Sequence, residues 1–113
     1  MKLITAIIKP TTLENVRAAL EELGVSGLTV AEVRGFGRQQ GHVEVYRGTE
    51  YAVAFVEKLR LDVAVPDDLA AETLAVIADA ARTGSIGDGK AWATDVTDAV
   101  RVRTGEMGEA ALR

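Results

Sequence analysis

There is no cysteine anywhere in this chain, so no disulfide can staple it and its stability must come from packing. Aromatic residues make up only 4%, and there are two prolines, one tryptophan and one histidine. His42 has no second histidine or cysteine at ligand spacing, so it reads as a solvated loop residue rather than a metal ligand. A basic excess is missing too: 13 Lys and Arg face 17 Asp and Glu, for a net charge of -4, which argues against general affinity for nucleic acid. Any anionic partner must be met locally. No stretch approaches the roughly 18 consecutive apolar residues of a membrane span. The opening MKLITAIIKP is too short and too soon broken, by Lys9 and Pro10, for a secretory signal. These absences together lead us to expect a soluble, cytoplasmic protein. What is present is globular: 48% apolar and 27% charged residues over 113 positions, expected to form one domain with its own core.

Residues 2–9, KLITAIIK, are apolar on both alternating faces, as in a strand covered on both sides. Thr11 and Glu14 have the spacing of a capping box. After them Leu13, Val16, Leu20 and Leu23 recur at helical spacing until Gly24 stops the helix. GLTVAEVRG, 27–35, reads as a second strand. YAVAFVEKLRLDVAV, 51–65, reads as one long third strand, with Val53, Phe55, Leu59, Leu61, Val63 and Val65 on one face. Pro66 with Asp67 and Asp68 opens a second helix to about Arg82, on which Ala70, Leu74, Ile77 and Ala81 share a face. A short strand around AWATDV and an extended AVRVR, 99–103, complete a β-α-β-β-α-β order. That order predicts an α+β, ferredoxin-like sandwich, with two helices on one face of an antiparallel sheet. The other face, carrying Ala54, Val56, Ala64 and one side of the first strand, would be apolar and uncovered, which predicts a second subunit against it. Between strands two and three, FGRQQGHVEVYRGTE is far longer than a hairpin connection needs, and loops of that length in small domains are usually functional.

TGSIGDGK, residues 83–90, imitates a phosphate-binding P-loop, but Ala91 stands where the hydroxyl for Mg²⁺ should be. A helix precedes it and a strand follows, the reverse of the P-loop context. Two readings remain for the segment: a nest of backbone amides for an anion, or a glycine-rich turn that ends a helix. Arg101 and Arg103, two apart in an extended piece, would leave the same face side by side and suit a polyphosphate, or would simply charge an edge strand. GFGRQQG, with glycines at 35, 37 and 41 around Arg38 and Gln39, could bend around a ligand or form a plain hairpin end.

Together MKLITAIIKP, EVRGFGRQQGH, VYRGTEY, ARTGSIGDGK and VRVRTGE resemble the PII signal-transduction family, in order and spacing, over nearly the whole chain. The loop signature Y-[KR]-G-[AS]-[AE]-Y is matched by Tyr46-Arg47-Gly48-Thr49-Glu50-Tyr51, departing by one methyl at Thr49. Ala91 replaces a β-branched residue after GDGK, and Gln40 stands where Lys is common.

The resemblance implies a homotrimer with clefts between neighbours that take ATP or ADP competitively. It places a T-loop at about 37–51, a B-loop at about 82–90 and a C-loop at about 101–106. Gly87, Asp88, Gly89 and Lys90 would cradle the phosphates, joined by Arg38 and by Arg101 and Arg103 of the neighbour, while Thr29 and Ala64 line base and ribose. With MgATP bound, 2-oxoglutarate would sit at the T-loop base. There Gln39 would hold Mg²⁺, Lys58 would pair with the distal carboxylate, and backbone near Gly37, Gly41 and Gly87 would close the site. From the residues alone, Lys58 faces away from Val53, Phe55 and Leu59, where it would need an anion or would snorkel to solvent. Tyr51 would be the acceptor for a nucleotidylyltransferase, by uridylylation or adenylylation, although a tyrosine opening a strand also reflects β-propensity. Tyr46 and Arg47 would contact targets such as an ammonium channel, recruiting the protein to the inner face of the membrane. The function implied is non-enzymatic sensing of energy and carbon/nitrogen state, with no catalytic residues. The rivals are a slow ATPase and a PII-like protein tuned to another small anion.

Overall fold

A computed structural model describes residues 1–37 and 55–113, together with the backbone of 42–46 and 49–53. Strand β1, Lys2–Ile8, leads through a 3₁₀ turn, Pro10–Thr12, into helix α1, Leu13–Leu23. Strand β2 is Thr29–Gly35, β3 and β4 are His42–Tyr46 and Thr49–Val53, and β5 is Val56–Val65. Helix α2, Asp67–Ala81, strand β6, Gly89–Asp95, and a final 3₁₀ turn, Gly108–Leu112, follow. Four strands form one sheet in the order β2-β5-β1-β6, every neighbouring pair antiparallel. With two helices this is an α+β architecture consistent with the ferredoxin-like sandwich expected from the residue pattern.

The alternation within β1 decides which face is dry. Ile4, Ala6 and Ile8 are buried with Leu61, Val63 and Val65 of β5, and Val16 and Leu20 of α1 and Ile77 and Ala81 of α2 cover them. Each Ile, Leu or Val among them contributes about 1.5–3 kcal/mol by leaving water. Ala91 packs on the rim of this core from β6. Helix α1 ends as its sequence suggests. Gly24, at φ +98°, donates to the Glu21 carbonyl and Val25 donates to that of Leu20, the paired bonds of a Schellman cap.

Four expectations are corrected. First, the capping box is absent, because Pro10 starts a 3₁₀ turn that runs directly into α1. Thr12 flanks the helix without capping it and donates from its hydroxyl to the Lys9 carbonyl at 2.8 Å, while Glu14 pairs with Arg17. Second, the long third strand is two: β4 pairs with β3 in a separate hairpin, and only β5 joins the main sheet. Phe55 lies between them, with its ring exposed and 6.1 Å from that of Phe36. Third, AVRVR is not a strand. Only Val100 bridges, to Met107, and Gly105 at φ +75° turns 101–106 back on itself, with Arg101 N–H donating to the Glu106 carbonyl. Arg101 and Arg103 therefore sit in a turn and do not alternate along a strand. Fourth, the sheet face opposite the helices is mixed rather than apolar. It carries a buried Lys58, an Arg60–Asp62 ion pair at 3.0 Å and a hydrogen bond from the Thr5 hydroxyl to Asp62, beside Leu3, Ile7 and Val56. Ala54 lies outside the described residues.

Candidate functional site

The segment after α2 is shaped by three glycines at positive φ: Gly84 at +86°, Gly87 at +95° and Gly89 at +102°. None of them caps the helix, since the residue after Ala81 is Arg82 in an extended conformation. The glycine-rich loop is thus a structure in its own right. Asp88 holds it together, its carboxylate accepting from the Thr83 amide at 2.8 Å, the Gly84 amide at 2.9 Å and the Thr83 hydroxyl, with the Lys9 ammonium 3.1 Å away. Those bonds, the Thr83 hydroxyl foremost, hold the Asp88 carboxyl well below the usual carboxylate range.

From this loop β6 begins at Gly89, packed so closely on β1 that a Cβ there would lie 1.7 Å from the Ile7 carbonyl oxygen. Lys90 stands opposite Ile7 and Trp92 opposite Thr5, so both leave the sheet on the face away from the helices. On that same face Lys58 of β5 is only 6% exposed, and its ammonium donates to the Gly87 carbonyl. Burial, with Lys9 nearby, pushes the Lys58 pKa down; Asp88 opposes the shift.

These parts surround a cleft of about 770 Å³ lined by Ile7, Gly35, Phe36, Gly37, Lys58, Trp92 and residues 85–90. It brings together six of the expected site residues: Gly37, Lys58, Gly87, Asp88, Gly89 and Lys90. Two ammonium groups and the amides of a positive-φ loop converge there, and the one acid in the lining is already neutralised by Lys9. The cleft is therefore suited to an anion, although the chain as a whole is acidic.

A family model matches most of the chain. Residues 1–106 match that of nitrogen regulatory protein P-II. The chain belongs to the P-II family. It is 54% identical over 112 residues, 99% of its length and all of the relative's, to nitrogen regulatory protein GlnK of Escherichia coli K12. With the same coverage it is 53% identical to nitrogen regulatory protein P-II of Rhizobium etli and 52% to that of Haemophilus influenzae. Among the described residues of this P-II protein no helix is long and apolar enough to cross a membrane.

The remaining expected site residues of the P-II chain lie elsewhere. Thr29 and Ala64 line a separate cleft of about 560 Å³, with Asp62, Leu112 and Arg113. Arg101 belongs to that end of the molecule. Its guanidinium donates to the Glu106 carboxylate at 2.6 Å and to the main-chain oxygen of Arg113. Arg103 is exposed in the adjoining turn. Arg38, Gln39, Gly41 and Arg47 lie outside the described residues, as do the side chains of Tyr46 and Tyr51. Sequence reasoning missed Lys9, Ser85, Phe36 and Trp92. The only hint of Lys9 was its position directly before Pro10, whereas Trp92 could have been found by counting two residues along the strand from Lys90.

Proposed function

We propose that this P-II protein is a nucleotide-gated regulator of nitrogen metabolism whose ATP or ADP site is shared between neighbouring subunits of a homotrimer. The observation that carries the reading is the division of the expected site into two clusters. One chain offers the phosphate loop, Gly87–Lys90, with Lys58 at one cleft, and Thr29 and Ala64 at another, whose lining residue Arg113 is held by Arg101. A ligand that needs both sets must bind where the first cleft of one copy meets the second cleft of the next, and a cyclic trimer repeats that contact three times.

In this reading the loop amides and Lys90 hold the phosphates, Arg101 and Arg103 of the neighbour approach them, and Thr29 and Ala64 line base and ribose. Arg38 joins from the T-loop root. 2-Oxoglutarate binds beside the phosphates when MgATP is present. Lys58 meets its distal carboxylate, and Gly37, Gly41 and Gly87 supply backbone. Gln39 would hold Mg²⁺, which would offset the negative charge of the phosphates. The fit rests on the donor set. Lys58 is a desolvated cation whose only described partner is a neutral carbonyl, and a carboxylate would satisfy it better.

The output is the T-loop. Tyr46 and Arg47 engage targets, including an ammonium channel at the inner face of the membrane, and Tyr51 accepts a nucleotidyl group. The protein acts by binding and not by turnover. Calorimetry with ATP, ADP and 2-oxoglutarate, with and without Mg²⁺, tests the reading. ATP and ADP should compete, and 2-oxoglutarate should bind only with MgATP. A chain that takes up 2-oxoglutarate equally well with ADP would contradict it.

A further inference from the structure

Lys9 has no part in the proposed ligand contacts, yet all of its hydrogen-bonding capacity is used on the phosphate loop. Its ammonium lies 2.7 Å from the Ser85 hydroxyl, 3.2 Å from that of Thr83 and 3.1 Å from an Asp88 carboxylate oxygen. An ammonium has three protons, and here three acceptors meet them. The base of the side chain is fixed as well. Lys9 directly follows β1 and precedes Pro10, and its carbonyl accepts from both the amide and the hydroxyl of Thr12, at 3.0 and 2.8 Å. Lys9 is thus a brace between the first strand and the loop, with little freedom at either end.

Resting on the nucleotide reading above, we infer that Lys9 is a positioning residue for polyphosphate binding, acting through Asp88 without touching the ligand. Two effects follow. Lys9 keeps the carboxylate turned inward, where it orders the Thr83 and Gly84 amides and the glycine conformations beyond them. It also cancels a negative charge only one residue from Gly87 and Gly89, where phosphate oxygens would lie. Without Lys9 the loop would present an uncompensated carboxylate to a polyanion, a like-charge contact in a partly enclosed cleft.

The test uses the full chain and ATP, with affinity read by calorimetry and loop order by hydrogen exchange at Thr83 and Gly84. Lys9→Met keeps the aliphatic stem and removes the charge. It should weaken ATP about tenfold, the scale of one charge-assisted contact, and should speed exchange at those amides. Asp88→Asn added to Lys9→Met should recover part of the lost affinity, since the uncompensated charge is then gone. A direct ligand or a generally structural lysine would give no such recovery. Should Lys9→Met fail to fold, Lys9→Gln keeps a hydrogen-bonding side chain, removes the charge facing Asp88 and carries the same expectations for affinity and exchange. A parent chain that binds neither ATP nor ADP removes the nucleotide reading and this inference with it. Parent binding with Lys9→Met unchanged overturns the inference alone. Weaker binding without faster exchange, or effects of Lys9→Met and Asp88→Asn that simply multiply, also overturns it.

Discussion

Replacing Gly89 by alanine should damage this protein far more than the same change at Gly84, five residues earlier in the loop. Both glycines have positive φ, +102° and +86°, so each alanine carries the left-handed penalty of about 1–2 kcal/mol. At Gly84 nothing lies within 4 Å of the new Cβ, so that penalty is the whole effect. At Gly89 the Cβ would lie 1.7 Å from the Ile7 carbonyl oxygen and 2.8 Å from its carbon, both backbone atoms of a central strand. The overlap can be relieved only by prying β6 from β1 where Ile8 faces Gly89 and Ile7 faces Lys90. Losing one or two ladder hydrogen bonds there, at about 1 kcal/mol each, brings the total to about 3 kcal/mol. At roughly 4 °C per kcal/mol for a domain of this size, Gly89→Ala should melt about 12 °C below the parent and Gly84→Ala about 6 °C below it. Circular dichroism melting at one protomer concentration makes the comparison, since assembly would otherwise shift the midpoints. Equal melting of the two variants would refute the close β1–β6 contact.

Lys58→Met should abolish 2-oxoglutarate binding while leaving ATP affinity within a fewfold of the parent, as read by calorimetry; a parent-like 2-oxoglutarate titration in the variant would remove Lys58 from that site. Because the folded-state pKa of Asp88 is depressed, its stabilising contribution is complete above the ordinary value of 3.8 and fades as pH falls through the lowered one. Urea titrations should therefore show a shallower loss of stability at acid pH in Asp88→Asn than in the parent, and parallel acid limbs would contradict the assignment. The Lys58 pKa is depressed instead, so the folded protein sheds that proton first. Its charged form opposes folding at neutral pH, and the parent should gain stability relative to Lys58→Met as pH rises toward 10.5. Arg47→Ala should stay in the supernatant when mixed with membranes holding the channel, whereas the parent should pellet with ADP and be released by MgATP plus 2-oxoglutarate.

Periodicity made most of the sheet and both helices legible. The run Ile4, Ala6, Ile8 and the spacing of Val16 and Leu20 report burial directly, because side-chain direction repeats with the backbone. Local chemistry was less reliable. Thr11 and Glu14 have the right spacing for a capping box, but Pro10 already commits the chain to a turn, and one residue's difference in helix entry removes the cap. AVRVR has strand composition, yet Gly105 folds it onto itself before it can find a neighbour in the sheet. At the site, Lys58 and 87–90 were brought together by the resemblance to a known family, since the residues alone left a glycine-rich turn or an anion nest, and a lysine that would pair with an anion or snorkel. Lys9 was not legible, since its partners Thr83, Ser85 and Asp88 are more than seventy residues away in sequence. Nor could spacing show that Thr29 and Ala64 line a different cleft from the phosphate loop, because that depends on where the chain's last turn returns.

The claim that a nucleotide is shared between copies has a direct test in subunit mixing. Lys90→Ala damages the phosphate-loop half of the site and Arg101→Ala the other half, so each homotrimer alone should bind ATP weakly at all its sites. Trimers reassembled from an equal mixture of the two should contain some interfaces where an intact Lys90 meets an intact Arg101. For random assembly in a cyclic trimer that is about one quarter of the sites. Calorimetry on the mixture should recover about that fraction of parental high-affinity binding. If the mixture binds no better than the two variants measured separately, each site lies within one chain and the account of a shared cleft is wrong.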